Sequence, residues 1–408
     1  MTARVRFGNV RSRVLRLIAE HNPFYLISAA CMLAGCLALT NSLSWSPIAL
    51  RRLLMLIATL NVYEAALLGL GVVLIAKRGL RRDGRILLVL QAIFLVDATF
   101  LNAEIATMQL TLGAFINALL FALAMVKLRV VLKILRPRIT RGELASMVVQ
   151  LAVLFALPCV LRRIDHGSIS PIDFYAVWWI LGLLPVVHAL LTHALPEDLD
   201  GRSPATSAVP VKAYLSLPWL SLLVHVSILH YVYNVPFFGA DAAPVLLGLA
   251  VAMKRAIPTR FVTLGQLRTL RVMLPIAAVW VSANSSWALG FSALGISITT
   301  AKLALVGAYL TCVYLFLMTW ARYFLTGGAL AGMAFAFGPS MSELVDVADI
   351  ILTWVLNILE SLVPKNASQW GIVGVVFGFI FLVIGAAVSL MRPPPVIEVK
   401  SGIPVQDT

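Results

Sequence analysis

Glu64 and Asp97 stand inside long apolar runs, where an ionised carboxylate costs several kcal/mol unless it is paired or protonated. Glu64 lies twelve residues before Ala76, and Asp97 lies twelve residues after Arg85. At 1.5 Å per helical residue both sit about 18 Å from the same basic boundary. Asn61 shares the face of Glu64 by its i, i+3 spacing, with Tyr63 adjoining and Gln91 on the facing run. Such a group can take up and release a proton or a small cation, because burial and a second carboxylate both raise a carboxylate pKa. The same residues also fit a protonated Glu and Asp, hydrogen-bonded to Asn61, Gln91 or backbone, that fasten helices together. Both readings stay open at this level.

His225 lies about thirteen residues from Lys212, at a comparable depth, and is a candidate proton relay. His188 is only about seven residues from the basic end of its run. The two therefore miss the common level that bis-imidazole haem ligation needs. His188 and His193, and likewise His225 and His230, are five residues apart and point to different sides of a helix. No cofactor is expected, haem included. Asp165 and His166 lie in one outer cluster, before the run 173–195, and Asp241 in another, after the run 213–233; any of them could serve as acid or base at the outer face, or all could be ordinary interfacial residues. Cys31, Cys36, Cys159 and Cys312 form no C-x-x-C pair, so neither a zinc site nor a disulfide framework is expected. Leu33-Ala34-Gly35-Cys36 has the form of a lipoprotein cleavage box, although apolar residues continue beyond it. No P-loop, dinucleotide fingerprint or H-E-x-x-H is present, and no stretch is long enough for a soluble nucleotide domain.

The frame that must position these residues follows from composition. Of 408 residues 61% are hydrophobic and 12% charged, whereas a soluble domain is nearer a quarter charged. Apolar stretches recur at bilayer length, near 24–44, 53–76, 86–104, 106–126, 144–161, 173–195, 213–233, 241–255, 272–292, 300–321, 324–339 and 370–391. The run 86–126 is too long for one crossing and is expected to turn between Asn102 and Gln109. The run 272–300 has room for a broken or re-entrant piece. The expected fold is an all-α polytopic bundle of about twelve spans, within ten to thirteen.

The net charge is +14. The basic residues gather in short clusters between alternate spans, the pattern of the positive-inside rule rather than of nucleic-acid binding. Both termini are therefore expected inside, at a cell membrane and by preference a bacterial inner membrane. The expected organisation is a basic segment 1–22, a six-span half 23–195, a polar linker 196–212, a second half 213–391 and a Pro-rich tail 392–408. Residues 340–362 carry Glu343, Asp346, Asp349, Thr353, Asn357 and Glu360 on one helical face, which predicts an amphipathic interfacial helix. Gly371, Gly374 and Gly378 share a face of the last span and permit close helix contact, within the chain or with a partner. Anionic lipid is the expected partner of the basic inner face.

These features imply three function classes. An ion-coupled secondary transporter using the mid-membrane carboxylates fits first. A non-catalytic membrane subunit or scaffold is the alternative, and a membrane-embedded enzyme acting on lipid-linked substrate is the third.

Overall fold

The computed structural model describes residues 22–41, 47–137, 139–165, 171–194, 209–232, 235–254, 263–282, 288–293, 296–316, 353–354 and 367–391. The amphipathic stretch 340–362 therefore falls outside the described residues, Thr353 and Trp354 excepted. So do the basic segment before Asn22, the expected span 324–339, most of the linker and the tail after Met391.

The described chain is helical: α1 Phe24–Asn41, α2 Pro47–Ala76, α3 Arg81–Met108, α4 Leu110–Leu135, α5 Arg141–Asp165, α6 Pro171–Ala194, α7 Val209–Val232, α8 Gly239–Met253, α9 Leu264–Ser282, α10 Thr300–Phe316 and α11 Ala367–Met391. Among the described residues, five helical segments are long and apolar enough to cross a membrane: Leu50–Ala76, Arg141–Val160, Asp173–Ala194, Leu264–Ser282 and Ser368–Met391. Three apolar helices are shorter, Phe24–Thr40, Gly239–Met253 and Thr300–Leu315. The chain thus carries helices suited to a membrane, and the twelve-span count is reached only in part. Among the described residues the strands form an antiparallel hairpin, β1 Ala288–Ala293 with β2 Ile296–Thr299, in which Ala293 pairs with Ile296. It occupies the region where a broken span was expected.

Local chemistry explains the helix ends. Thr140 and Glu143 cap α5 reciprocally: the Thr140 N–H donates to Glu143 Oε2 at 2.9 Å and the Glu143 N–H to Thr140 Oγ1 at 3.1 Å. Thr263 and Gln266 do the same for α9. The turn from α2 to α3 needs Gly79, whose φ of 68° lies in the left-handed region. At Gln109 the chain doubles back: a Cβ on Gly113 would come within 2.6 Å of the Ala106 Cα, an approach that no straight helix allows at that separation. The expected turn between α3 and α4 is present.

Two compact units share the chain. The first draws on Met1–Leu95, Lys127–Arg136 and Pro364–Thr408, the second on Val96–Val126 and Pro137–Val363. In the first, the last helix belongs with the first helix. The glycine face of α11 lies on α1: a Cβ at Gly374 would stand 2.8 Å from the Gly35 Cα, and one at Gly35 would stand 2.6 Å from the Val375 N. Backbones can approach this closely only where side chains are missing. Helix α1 runs unbroken through Cys36, which is buried. The opposite side of α11 exposes Ile372, Val376, Phe377, Ile380 and Val383, a stripe that water would disfavour and lipid would not.

In the second unit α8 packs against α6, α9 and α10. Ala243, Leu247, Ala278, Val279, Ala304, Ala308 and Cys312 form its small-residue core. A Cβ at Gly248 would collide with the carbonyl oxygen of Gly182, so this crossing also depends on glycine.

Candidate functional site

Helix α4 does not stop where its apolar run stops. It continues to Leu135 with Lys127, Arg129 and Lys133 inside it, and cations near a helix C-terminus are favourably placed against its dipole. It ends at Arg136, whose φ of 43° breaks the helix, with Pro137 next. Lys127 therefore sits on a helix, eight residues before its end. Side chains lean toward the helix N-terminus, which carries the Lys127 ammonium away from the basic end and into the apolar zone.

There it meets Glu64. Lys127 Nζ donates to Glu64 Oε2 at 2.6 Å. Glu64 is 1% exposed and the Lys127 side chain 11%. Lys127 Nζ also donates to Asn61 Oδ1 at 3.0 Å. Asn61 holds that oxygen in place by giving its own N–H to the Ile57 carbonyl one turn back, at 3.0 Å. Gln91 Nε2, on α3, reaches Glu64 Oε2 at 3.4 Å. Three helices of the first unit thus supply a carboxylate, an ammonium and two amides to one buried point. Leu60, Leu67, Leu87, Leu88 and Phe94, all fully buried, lie on the same stretches of α2 and α3.

A second polar group in this unit is neutral. The Ser28 hydroxyl donates to the Gly378 carbonyl at 2.6 Å, so its 2.6 Å contact with Tyr63 has the tyrosine as donor. The Tyr63 ring is gripped edge-on by Phe94 and Phe379, with centroids 4.9 and 5.4 Å away. Toward the basic end, Ser389 donates to Asp83 at 2.5 Å and accepts from Asn22 and Tyr25 at 2.7 and 2.9 Å.

Of the residues singled out in the sequence, Glu64 and Asn61 come together as expected from their spacing. Asp97 lies on α3 in the second unit, and its side chain is outside the described residues. The neighbour that Glu64 has is Lys127, one residue beyond the apolar run 106–126. One signal could have found it: Gln91 and Lys127 are equally far from Gln109 along the chain, and an antiparallel helical hairpin sets such positions side by side.

His225 is buried on α7 in the second unit. His230, on the same helix, accepts from Trp178 Nε1 at 2.9 Å through Nε2, which fixes its proton on Nδ1, facing the Val235 carbonyl at 3.3 Å. Phe174, Trp178 and Phe237 surround the ring. With both nitrogens engaged, this imidazole offers no electron pair to iron. His188 Nδ1 meets Ser146 Oγ at 3.0 Å. Asp241 is buried at the start of α8, where its Oδ2 accepts the Phe238 N–H at 2.9 Å. His166 and the Asp165 side chain lie outside the described residues. Among the described residues, no group of three or more His, Cys, Asp or Glu side chains is placed to hold a metal ion.

Comparison with protein-family models, with curated proteins and with solved structures finds no match.

Proposed function

We propose that the chain is an ion-coupled secondary transporter of about twelve spans, with both termini on the cytoplasmic side of a bacterial inner membrane, and that Glu64 and Lys127 form its coupling site. One observation carries this reading: an ion pair is kept where apolar side chains would serve stability at least as well. Replacing a buried pair by well-packed apolar residues is often neutral or stabilising, so a pair retained among leucines points to a use for its charge. Lys127 acts as a tethered cation on Glu64. A proton or a small cation arriving at the carboxylate competes with it; Asn61 Oδ1 supplies a neutral oxygen ligand for a cation, while the Gln91 N–H continues to donate to Glu64. The freed ammonium can relax toward the basic end of α4, because its stem is long and flexible. Asp97 and His225, in the second unit, are further candidates for ion coupling, each within that unit.

The test is proteoliposomes loaded with a pH-sensitive dye, exposed in turn to gradients of sodium, potassium and magnesium. Wild-type protein should exchange protons for at least one cation, and Glu64→Gln should abolish the exchange. Exchange surviving in Glu64→Gln rejects the site. Absence of exchange in folded wild-type protein rejects ion coupling and leaves the scaffold reading.

A further inference from the structure

At the end of the first unit away from the basic clusters, α1, α2 and α11 leave a groove of about 390 Å³, within the range of small-ligand sites. Its lining is ordered by type. Arg52 and Ser368 stand at the helix starts, at one end. Leu39, Met55, Leu56, Ile372, Val375 and Val376 make the rest, with Thr59 as the one polar group among them. Thr59 turns its proton back to the Met55 carbonyl, so it presents little polarity to the groove. Arg52 to Thr59 and Ser368 to Val375 are each seven residues, so the trench runs about 10 Å along the helices. Leu56 forms a buried floor, while Met55, Ile372 and Val376 are half exposed walls. The trench is therefore open along its side, toward the surface where the apolar face of α11 lies. Among the described residues, no carboxylate pairs with Arg52.

We propose that this groove binds one anionic phospholipid, its phosphate on the Arg52 guanidinium and the Ser368 hydroxyl and the upper part of one acyl chain along the trench. A guanidinium forks onto phosphate oxygens in bidentate fashion, and an open apolar channel parallel to the helices matches the direction of a lipid chain. The site is distinct from the general attraction of anionic lipid to the basic clusters around Arg81 and Arg129. It does not depend on the carrier reading.

Delipidated full-length protein in detergent is mixed with equal amounts of phosphatidylglycerol and phosphatidylcholine of identical chains, and bound lipid is counted by native mass spectrometry. The wild type should retain one phosphatidylglycerol about fivefold over phosphatidylcholine, as one interfacial arginine predicts. Arg52→Gln should bring the two to parity, and Val376→Trp, which fills the trench from an exposed position, should lower retention of both. Arg129→Gln should leave the preference intact. Parity in the wild type overturns the proposal, as does a preference that survives Arg52→Gln or is lost with Arg129→Gln. Competition by inorganic phosphate at equal concentration also overturns it, because the acyl chain would then add nothing.

Discussion

Glu64 and His230 are both nearly closed off from solvent, at 1% and 5% exposure, and each takes a hydrogen bond from a neighbouring helix. What differs is charge. In the first unit Glu64 meets an ammonium at 2.6 Å. In the second, His230 sits between an indole N–H and a backbone carbonyl, a set of partners that suits the uncharged imidazole with its proton on Nδ1. A neutral ring with both nitrogens engaged is held in one state. A carboxylate whose partner is a flexible cation has a second state within reach, because it can bind a proton or exchange its ammonium for another cation. The imidazole is held by neutral partners and the carboxylate by a charge, and the proposed coupling role rests on that difference.

Mutation can break this comparison where the charge is largest. Lys127→Met should strand Glu64 and lower stability by about 3–5 kcal/mol, read as a fall in melting temperature in detergent. The double variant Lys127→Met, Glu64→Gln should recover most of that loss; if it does not, the pair is packing rather than charge. His230→Phe should cost about 1–3 kcal/mol, the cost of leaving the Trp178 N–H and the Val235 carbonyl unsatisfied, with no rescue from any charge change. Ser28→Ala should be smallest, at about 1 kcal/mol. It removes a neutral link within the same unit as Glu64, so a small effect there ties the large one to charge and not to location.

The sequence reached some of this arrangement and not the rest, for reasons that differ by residue. The bend at Gln109 was legible because an apolar run of that length cannot cross once. The glycine face on α11 was legible from its spacing, yet only the fold shows that α1 lies against it, since small residues announce close approach and not the identity of the neighbour. Glu64 with Asn61 was legible from helical periodicity. Lys127 was not, because a cation at the end of an apolar run reads as a boundary, and the reach of its stem back toward the middle is invisible in a hydropathy pattern. The β1–β2 hairpin was hidden for another reason: Ala, Leu, Gly and Ser alternate there as readily in a span as in a strand.

That hairpin sets a depth gauge on the second unit. A two-stranded ribbon satisfies only its inner row of amides and carbonyls and leaves two outer rows in need of partners. Hydrocarbon supplies none, so such a ribbon survives only beside protein or water. Along Ala288–Ala293 and Ile296–Thr299, then, water or a protein wall has to come in to meet the outer rows of the backbone.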